Sequence, residues 1–177
     1  MKFLKSALAL ILVLGLILVA GSLLLPDRAQ VERSITIDRP PAEVFAELDS
    51  FEHFNAWSPW AAHDPDARYT FEGPTSGVGA RMRWVGNQAV GSGSQEILES
   101  DPNRRIVVAL DFGGHQATGT YLLEPQGEAT TLTWRFEVDH GYNPLSRWMG
   151  LLYERMIGPD YERGLQQLKA VLESEKA

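Results

Sequence analysis

The chain has 177 residues, of which 44% are hydrophobic and 22% are charged, so it is long enough for one domain with a substantial core. Its formal net charge of −7 argues against a nucleic-acid partner, because proteins that bind a phosphate backbone concentrate Lys and Arg on one face. The absence of cysteine excludes disulfides, a thiolate nucleophile and a cysteine-ligated zinc site.

Residues 7–25 form an almost unbroken run of apolar side chains and glycine. Its length is close to the roughly 20 residues that a helix needs to cross a bilayer, so residues 1–26 are predicted to form a single-pass membrane anchor. The alternative is a cleaved signal peptide, because Lys2 and Lys5 precede the run and residues 19–22 are small enough for a peptidase site. The run continues through residues 23–25, which favours the uncleaved anchor.

The charges around the apolar run bear on membrane orientation. Lys2 and Lys5 favour a cytoplasmic N-terminus, and Arg28 and Arg33 reduce this asymmetry. We therefore expect the globular part to lie outside the cytoplasm, on the periplasmic side of the inner membrane. With residues 27–30 as a linker, about six residues would separate the span from the domain and reach at most roughly 20 Å. The domain, predicted at residues 31–177, is expected to lie against the bilayer.

The first part of the domain reads as one strand and two short helices. Residues 31–38 alternate between apolar or long side chains and small or acidic ones, which predicts a half-buried strand. Prolines at 40 and 41 end it and suit a helix start, and residues 51–57 predict a second short helix. The aromatic stretch Trp57-Ser58-Pro59-Trp60 follows. Two tryptophans beside a proline can form a rigid apolar wall. Large aromatic residues usually serve burial, however, so this stretch is predicted to close one end of the core.

Six alternating runs follow, separated by turn signals. This pattern is typical of an antiparallel meander. Trp84 shares a face with Met82 in the second run, and Leu132, Trp134 and Phe136 share a face in the last. The predicted strands are residues 68–72, 80–85, 91–100, 106–112, 118–124 and 130–138.

Residues 144–173 are predicted to form a long amphipathic helix that closes over the sheet. Apolar side chains recur at three- and four-residue spacing along one face. Gly158-Pro159 interrupts the pattern and predicts a restart or kink. The predicted buried stripe comprises Trp148, Met149, Leu152, Tyr153, Met156, Tyr161, Leu165, Leu168 and Leu172.

The order strand, two short helices, six strands and long helix predicts an α+β domain with one sheet face under helices. This order resembles the helix-grip fold of the SRPBCC superfamily, which includes START-type lipid-transfer domains, polyketide cyclases and Bet v 1-like proteins. Several segments resemble its membrane-anchored bacterial members of the polyketide cyclase/dehydrase-like type. They are Trp57-Ser58-Pro59-Trp60, Ser76-Gly77-Val78-Gly79, Trp84-Val85-Gly86-Asn87, Leu132-Thr133-Trp134, Met156-Ile157-Gly158 and Gly164-Leu165.

The resemblance covers residues 31–172 and implies a curved antiparallel sheet wrapped around the C-terminal helix. Such a fold leaves a cavity between sheet and helix, and cavities of this kind are mostly apolar with a few polar groups. Tyr121 and Tyr153 could hydrogen-bond the head of a ligand. The predicted lining residues are Trp84, Phe112, Tyr121, Trp134, Phe136, Met149, Tyr153 and Met156.

The sequence contains no recognisable catalytic motif, and no cofactor is expected. His53, His63, His115 and His140 lie about ten residues or more apart, so no metal site is expected. Gly91-Ser92-Gly93-Ser94 leads into a strand and therefore lacks the context of a nucleophile elbow. The candidates for acid or base chemistry are Arg33, Asp111, His115 and Glu154, and each is expected at the surface or rim.

Three functions remain open. The leading hypothesis is a binding or transfer protein for a hydrophobic small molecule or lipid. The second is a cyclase- or dehydratase-like enzyme that uses the same pocket without a metal, so enzymatic activity is left undecided. The third is an interaction module with a filled core. A buried titratable pair in a solvent-reachable cavity would favour the enzyme, and a cavity without such a pair would favour binding. A closed core would favour the interaction module.

Overall fold

The computed structural model describes residues 2–174 and contains the predicted elements in the predicted order. Residue 1 and residues 175–177, which the sequence analysis assigned to the anchor and the domain, lie outside this range. A 3₁₀ turn at Pro59–Ala62 follows the third helix. The helices are α1 (Lys2–Ser22), α2 (Pro41–Leu48), α3 (Phe51–Trp57) and α4 (Pro144–Ser174). The strands are β1 (Arg28–Ile37), β2 (Arg68–Glu72), β3 (Arg81–Val85), β4 (Ser92–Asp101), β5 (Arg105–Asp111), β6 (Gln116–Gln126) and β7 (Ala129–Asp139).

The seven strands form one antiparallel sheet in the order β1-β7-β6-β5-β4-β3-β2. Strands β2 to β7 are the predicted meander, and β1 pairs with β7 so that Val31 lies opposite Phe136. The register between β4 and β5 shifts between Ile97 and Glu99, which marks a bulge. Because a bulge bends its strand and increases its twist, it contributes curvature on the face that the helices cover. The predicted α+β helix-grip architecture is confirmed.

The second half of α4 packs against the sheet as predicted, with Tyr161, Leu165 and Leu168 each at most 2% exposed. Of the two predictions for Gly158-Pro159, the restart is wrong, because α4 continues through Pro159, and the kink stays a prediction. A contact on either side of the proline supports this continuity. Arg33 of β1 donates to Glu162 at 2.9 Å and also to Glu154, so both turns of α4 are held to the same strand.

The first half of α4 does not bury the predicted stripe. Trp148, Met149, Leu152 and Met156 are 36% to 56% exposed. Stepping back by four residues from the buried Tyr161 leads to residues 157 and 153, so the buried face of the helix passes through these positions instead. The sequence pattern therefore indicated the helix correctly and assigned the sheet-facing side of its first half wrongly.

Helix α1 is, within residues 2–174, the one helix long and apolar enough to cross a membrane. Its C-terminal end contacts the start of α4. The Nε1 of Trp148 donates to the Leu18 carbonyl at 3.0 Å, and Arg147 donates to the carbonyls of Ser22 and Leu25. Strand β1 begins at Arg28, three residues earlier than predicted, so the connection from α1 comprises residues 23–27 and most of the predicted linker is strand.

Candidate functional site

A cavity of about 510 Å³ lies between the inner face of the sheet and the helices. Because side chains alternate along a strand, one residue in two of β3 to β7 lies on the inner face of the sheet, and part of this face lines the cavity. Its wall is mostly apolar. The sheet side is lined by Met82, Trp84, Gln95, Val108, Leu110, Ala117, Gly119, Tyr121, Trp134, Phe136 and Val138, and the helix side by Phe54, Ser58, Trp60, Tyr153, Ile157 and Tyr161.

Six of the eight predicted lining residues lie in the cavity wall: Trp84, Phe112, Tyr121, Trp134, Phe136 and Tyr153. Met149 and Met156 do not line it, and that part of the prediction needs correction. They lie on the outward face of α4, where they are 38% and 56% exposed. The sheet residues were found because strand alternation fixes their direction, whereas the side of α4 that faces the sheet depends on how the helix is docked.

Trp134 is the centre of an aromatic cluster. Its ring stacks on Tyr161 at 3.8 Å and on Tyr121 at 5.4 Å between centroids, and Trp57 and Trp60 contact it edge-on. Trp57 is 2% exposed, so the predicted closing role is met by this residue. Trp60 instead forms part of the cavity wall, which is the alternative that the sequence left open for this stretch. The cluster gives the cavity one flat, rigid aromatic side.

The cavity wall contains few polar groups. Gln95 and Ser58 are 5% and 3% exposed, and Gln95 Nε2 and Ser58 Oγ have no hydrogen-bond partner among the described residues. Burial raises the pKa of Tyr121 and of Tyr161, so both phenols stay protonated at neutral pH. The inner part of the cavity is therefore uncharged. Gln95 was missed, although it occupies the inward position between Gly93 and Ile97 in the alternation of β4.

A second polar group lies where β7 leads into α4. The Nδ1 of His140 is 2.6 Å from Ser146 Oγ, and both residues line the cavity together with Asp139 and Asn143. Burial lowers the pKa of His140, so its imidazole is neutral at pH 7. Tyr153 stacks on the imidazole at 5.8 Å. The sequence analysis considered His140 only as a metal ligand and did not connect it with this pair.

The four acid/base candidates occupy different places. Arg33 and Glu154 bind each other between β1 and α4, outside the cavity lining. Asp111 accepts a hydrogen bond from the Gly114 amide and so supports the β5–β6 turn. His115 lines the cavity and is exposed, so the cavity opens to the outside beside the β5–β6 turn, and we call this opening the mouth. No group of three or more His, Cys, Asp or Glu residues in the described part of the chain is arranged to hold a metal ion.

The family model described as polyketide cyclase / dehydrase and lipid transport matches residues 28–173. Among solved structures, the di-domain ARO/CYC StfQ from the steffimycin biosynthetic pathway is 14% identical with a TM-score of 0.61, and the match covers 84% of this chain and 52% of that one. A Nitrosomonas europaea protein is 17% identical with a TM-score of 0.60, and the match covers 84% and 96% of the two chains. A Thermobifida fusca protein is also 17% identical, with a TM-score of 0.61 and coverage of 81% and 92%. These likenesses show a shared fold. No curated protein matches the sequence significantly.

Proposed function

Because the chain belongs to the polyketide cyclase / dehydrase and lipid transport family, we propose that it is a membrane-anchored binding or transfer protein for a hydrophobic small molecule or lipid. The observation that carries the proposal is the apolar cavity of about 510 Å³, a size typical of small-molecule sites. At about 24 cal/mol per Å³, a dry void of this size would cost roughly 12 kcal/mol. That is comparable to the stability of a typical domain, so a dry, empty cavity is disfavoured and water or a ligand is expected to fill it.

The lining indicates the chemistry of the occupant. The aromatic cluster around Trp134 suits a flat or chain-like apolar body, and the protonated Tyr121 and Tyr161 offer no charge to pair with. Gln95 lines the cavity, and its Nε2 has no hydrogen-bond partner among the described residues. A buried donor left unpaired costs about 1–3 kcal/mol, so a ligand that accepts from it is favoured. We infer a neutral, lipophilic molecule with a carbonyl or ether oxygen.

Contacts between α1 and α4 support a retained anchor rather than a cleaved signal peptide. Arg147 places a cation at the C-terminal end of α1, where it donates to the carbonyls of Ser22 and Leu25. Trp148 binds the Leu18 carbonyl of the last turns. A signal peptide that is removed would have no need of such contacts. The anchor holds the cavity next to the bilayer, where apolar ligands are concentrated.

Native mass spectrometry of the full chain, extracted in mild detergent, tests the proposal directly. We expect a bound mass that is lost after organic extraction. Residues 26–177, which contain the whole hydrophobic core, should bind the neutral fluorophore N-phenyl-1-naphthylamine and release it to the native ligand. Gln95→Leu should weaken the binding of the native ligand more than the binding of the fluorophore. Gln30→Leu, an exposed glutamine on β1, is the matched control. A chain that carries no lipid and binds none of a panel of lipids, quinones and polycyclic aromatics would refute the binding function.

The second candidate, an enzyme of the cyclase or dehydratase type, is favoured by one observation. A neutral His140 whose Nδ1 contacts Ser146 Oγ at the cavity wall is suited to accept a proton. Ser146→Ala separates the two functions. A binding protein keeps its affinity in this variant, whereas an enzyme of this kind keeps binding and loses turnover by about 10²-fold or more. The third candidate, an interaction module with a filled core, receives no support from a cavity of this size.

A further inference from the structure

The first half of α4 presents an apolar surface to the outside of the domain. We name Leu145, Trp148, Met149, Leu152 and Met156 the outer stripe, because their three- and four-residue spacing places them on one face. Leu145 is 74% exposed and Met156 56%. Beyond residue 22, half of the exposed large hydrophobic side chains of the described chain fall between residues 142 and 156. Such a concentration on one surface marks an interaction site.

The same face of α4 changes its chemistry halfway along the helix. Continuing the spacing of the outer stripe beyond Pro159 leads to Arg163, Gln167, Ala170 and Ser174, all of which are exposed. The outward face of the second half of α4 is therefore suited to contact with water. One helix therefore carries an apolar outward face in its first half and a polar outward face in its second, as expected of a helix that passes from one medium into another.

The apolar half lies directly beside the membrane-spanning helix. Trp148 donates to the Leu18 carbonyl, one turn inside the C-terminal end of α1. The ring also covers Gly21, where a Cβ would lie only 3.0 Å from Trp148 Cζ2. Tryptophan is enriched at the boundary between hydrocarbon and headgroups, and this contact places Trp148 at that depth if α1 spans the bilayer.

The sheet topology places the cavity mouth at the same end of the molecule. Arg28 at the start of β1 pairs with Asp139 at the end of β7, so α1 enters the sheet where β7 leaves it. In the antiparallel sheet, the β3–β4 and β5–β6 turns lie at this edge too. Residues of both turns, among them Val90 and His115, line the cavity. The mouth and the outer stripe therefore share the end of the domain next to α1.

We propose that the outer stripe is embedded in the leaflet from which α1 emerges into the domain, so that the cavity exchanges its ligand with that leaflet rather than with water. The inference rests on the membrane anchor of the proposed function. The occupant of the surface is a bilayer, because continuity with α1 brings the stripe to the depth of the acyl chains. The stripe itself contains no charged residue.

Depth-dependent quenching tests this in the full chain. Because the chain contains no cysteine, single cysteines can carry a nitrobenzoxadiazole label in vesicles of phosphatidylcholine and phosphatidylglycerol. Leu152→Cys probes the stripe, Gln167→Cys the polar half of the same face, and Leu12→Cys the span. With acyl-chain-brominated lipid, we expect emission at positions 12 and 152 to fall severalfold and emission at 167 to stay unchanged. With a headgroup spin label, His115→Cys should be quenched and Glu128→Cys, in the opposite hairpin, should not.

The possible outcomes distinguish a failure of the embedded outer stripe from a failure of the membrane anchor. Quenching at 12 but not at 152 overturns the embedded stripe and leaves the anchor in place, and disulfide cross-linking between two copies at 152 would then identify a dimer surface instead. No quenching at either position overturns both. Equal quenching at 152 and 167 contradicts the division of α4 into two halves. Quenching at 128 in place of 115 shows a mouth that faces away from the bilayer. Since all these positions are exposed, unchanged circular dichroism is the expected folding control.

Discussion

Replacing Gly119 by leucine is the sharpest test of whether the space under α4 is a cavity. Gly119 lies in the middle of β6 and lines the cavity. A Cβ added there would meet its nearest heavy atoms, Leu110 Cδ1 and Val108 Cβ, at 3.7 and 3.8 Å, which is ordinary van der Waals contact. The rest of a leucine side chain would extend into the cavity.

The structure predicts that Gly119→Leu stabilises the domain. Each buried methylene contributes about 0.8 kcal/mol, and removing glycine from a strand interior contributes about 0.5–1 kcal/mol. With incomplete burial of the new side chain, we expect the free energy of unfolding to rise by about 1–3 kcal/mol. This corresponds to a rise in Tm of roughly 2–4 °C per kcal/mol for a chain of this size. In a filled core the same substitution would cost about 1–3 kcal/mol instead.

Circular dichroism melts and N-phenyl-1-naphthylamine titrations of residues 26–177 measure both effects. We expect a higher Tm together with affinity weakened by about tenfold or more, because each lost 1.4 kcal/mol of binding energy is tenfold in Kd. Thr118→Leu, the exposed neighbour on the outer face of β6, adds similar bulk without entering the cavity and should leave binding unchanged. A lower Tm for Gly119→Leu would refute the cavity. A higher Tm with unchanged affinity would show that the ligand lies elsewhere.

Four further outcomes are expected. Gly164→Ala should lower the free energy of unfolding by about 1–3 kcal/mol in urea titrations, because the added Cβ would lie 2.8 Å from Trp134 Cζ3 and 3.0 Å from Pro59 Cδ. An unchanged urea midpoint would contradict this packing. Burial lowers the pKa of His140 below the value near 6.5 that it has in the unfolded chain, so the unfolded state binds the proton of His140 more tightly. The free energy of unfolding should therefore fall as the pH drops below about 6.5. His140→Asn should flatten that part of the stability curve, and an identical pH profile would exclude His140 as its source. A periplasm-dependent reporter fused after residue 177 should be active, whereas activity of a cytoplasm-dependent reporter would reverse the predicted orientation. Ligand binding should survive chelator treatment, and stoichiometric zinc or iron after dialysis would contradict this expectation.

Strand alternation made most of the fold predictable. In β7 the inward positions 132, 134 and 136 are Leu, Trp and Phe, and they are 0%, 3% and 5% exposed. A period of two fixes which side chains share a face without any knowledge of the partner strand. For this reason the predicted lining residues on the sheet lie where they were expected, and the strand ends differ from the predicted ones by only a few residues.

The wrong sheet-facing side for the first half of α4 and the wrong placement of Met149 and Met156 in the cavity wall have a common cause. An apolar stripe specifies a helix and an apolar neighbour, and it does not specify which neighbour. For Leu165 the neighbour is the sheet, whereas Trp148 contacts Leu18, 130 positions earlier in the chain. The spacing of apolar residues within α4 cannot predict a contact with a residue so far away in the sequence. The same limit applies to Gln95. Whether its amide has a hydrogen-bond partner depends on the residues of the neighbouring strands, which local sequence does not specify.

The division of α4 also explains how a single helix can hold the fold together and still serve the ligand. Its second half packs on the core through residues such as Leu165 and Leu168, so stability does not depend on the outward face of the first half. In that first half, Tyr153 lines the cavity while its neighbour Leu152 points outward. With the outer stripe in the leaflet, the bound ligand and the lipid chains lie on opposite sides of one helix, about 10 Å thick. Exchange through the mouth next to α1 would then keep the ligand beside the leaflet, so that it need not cross water.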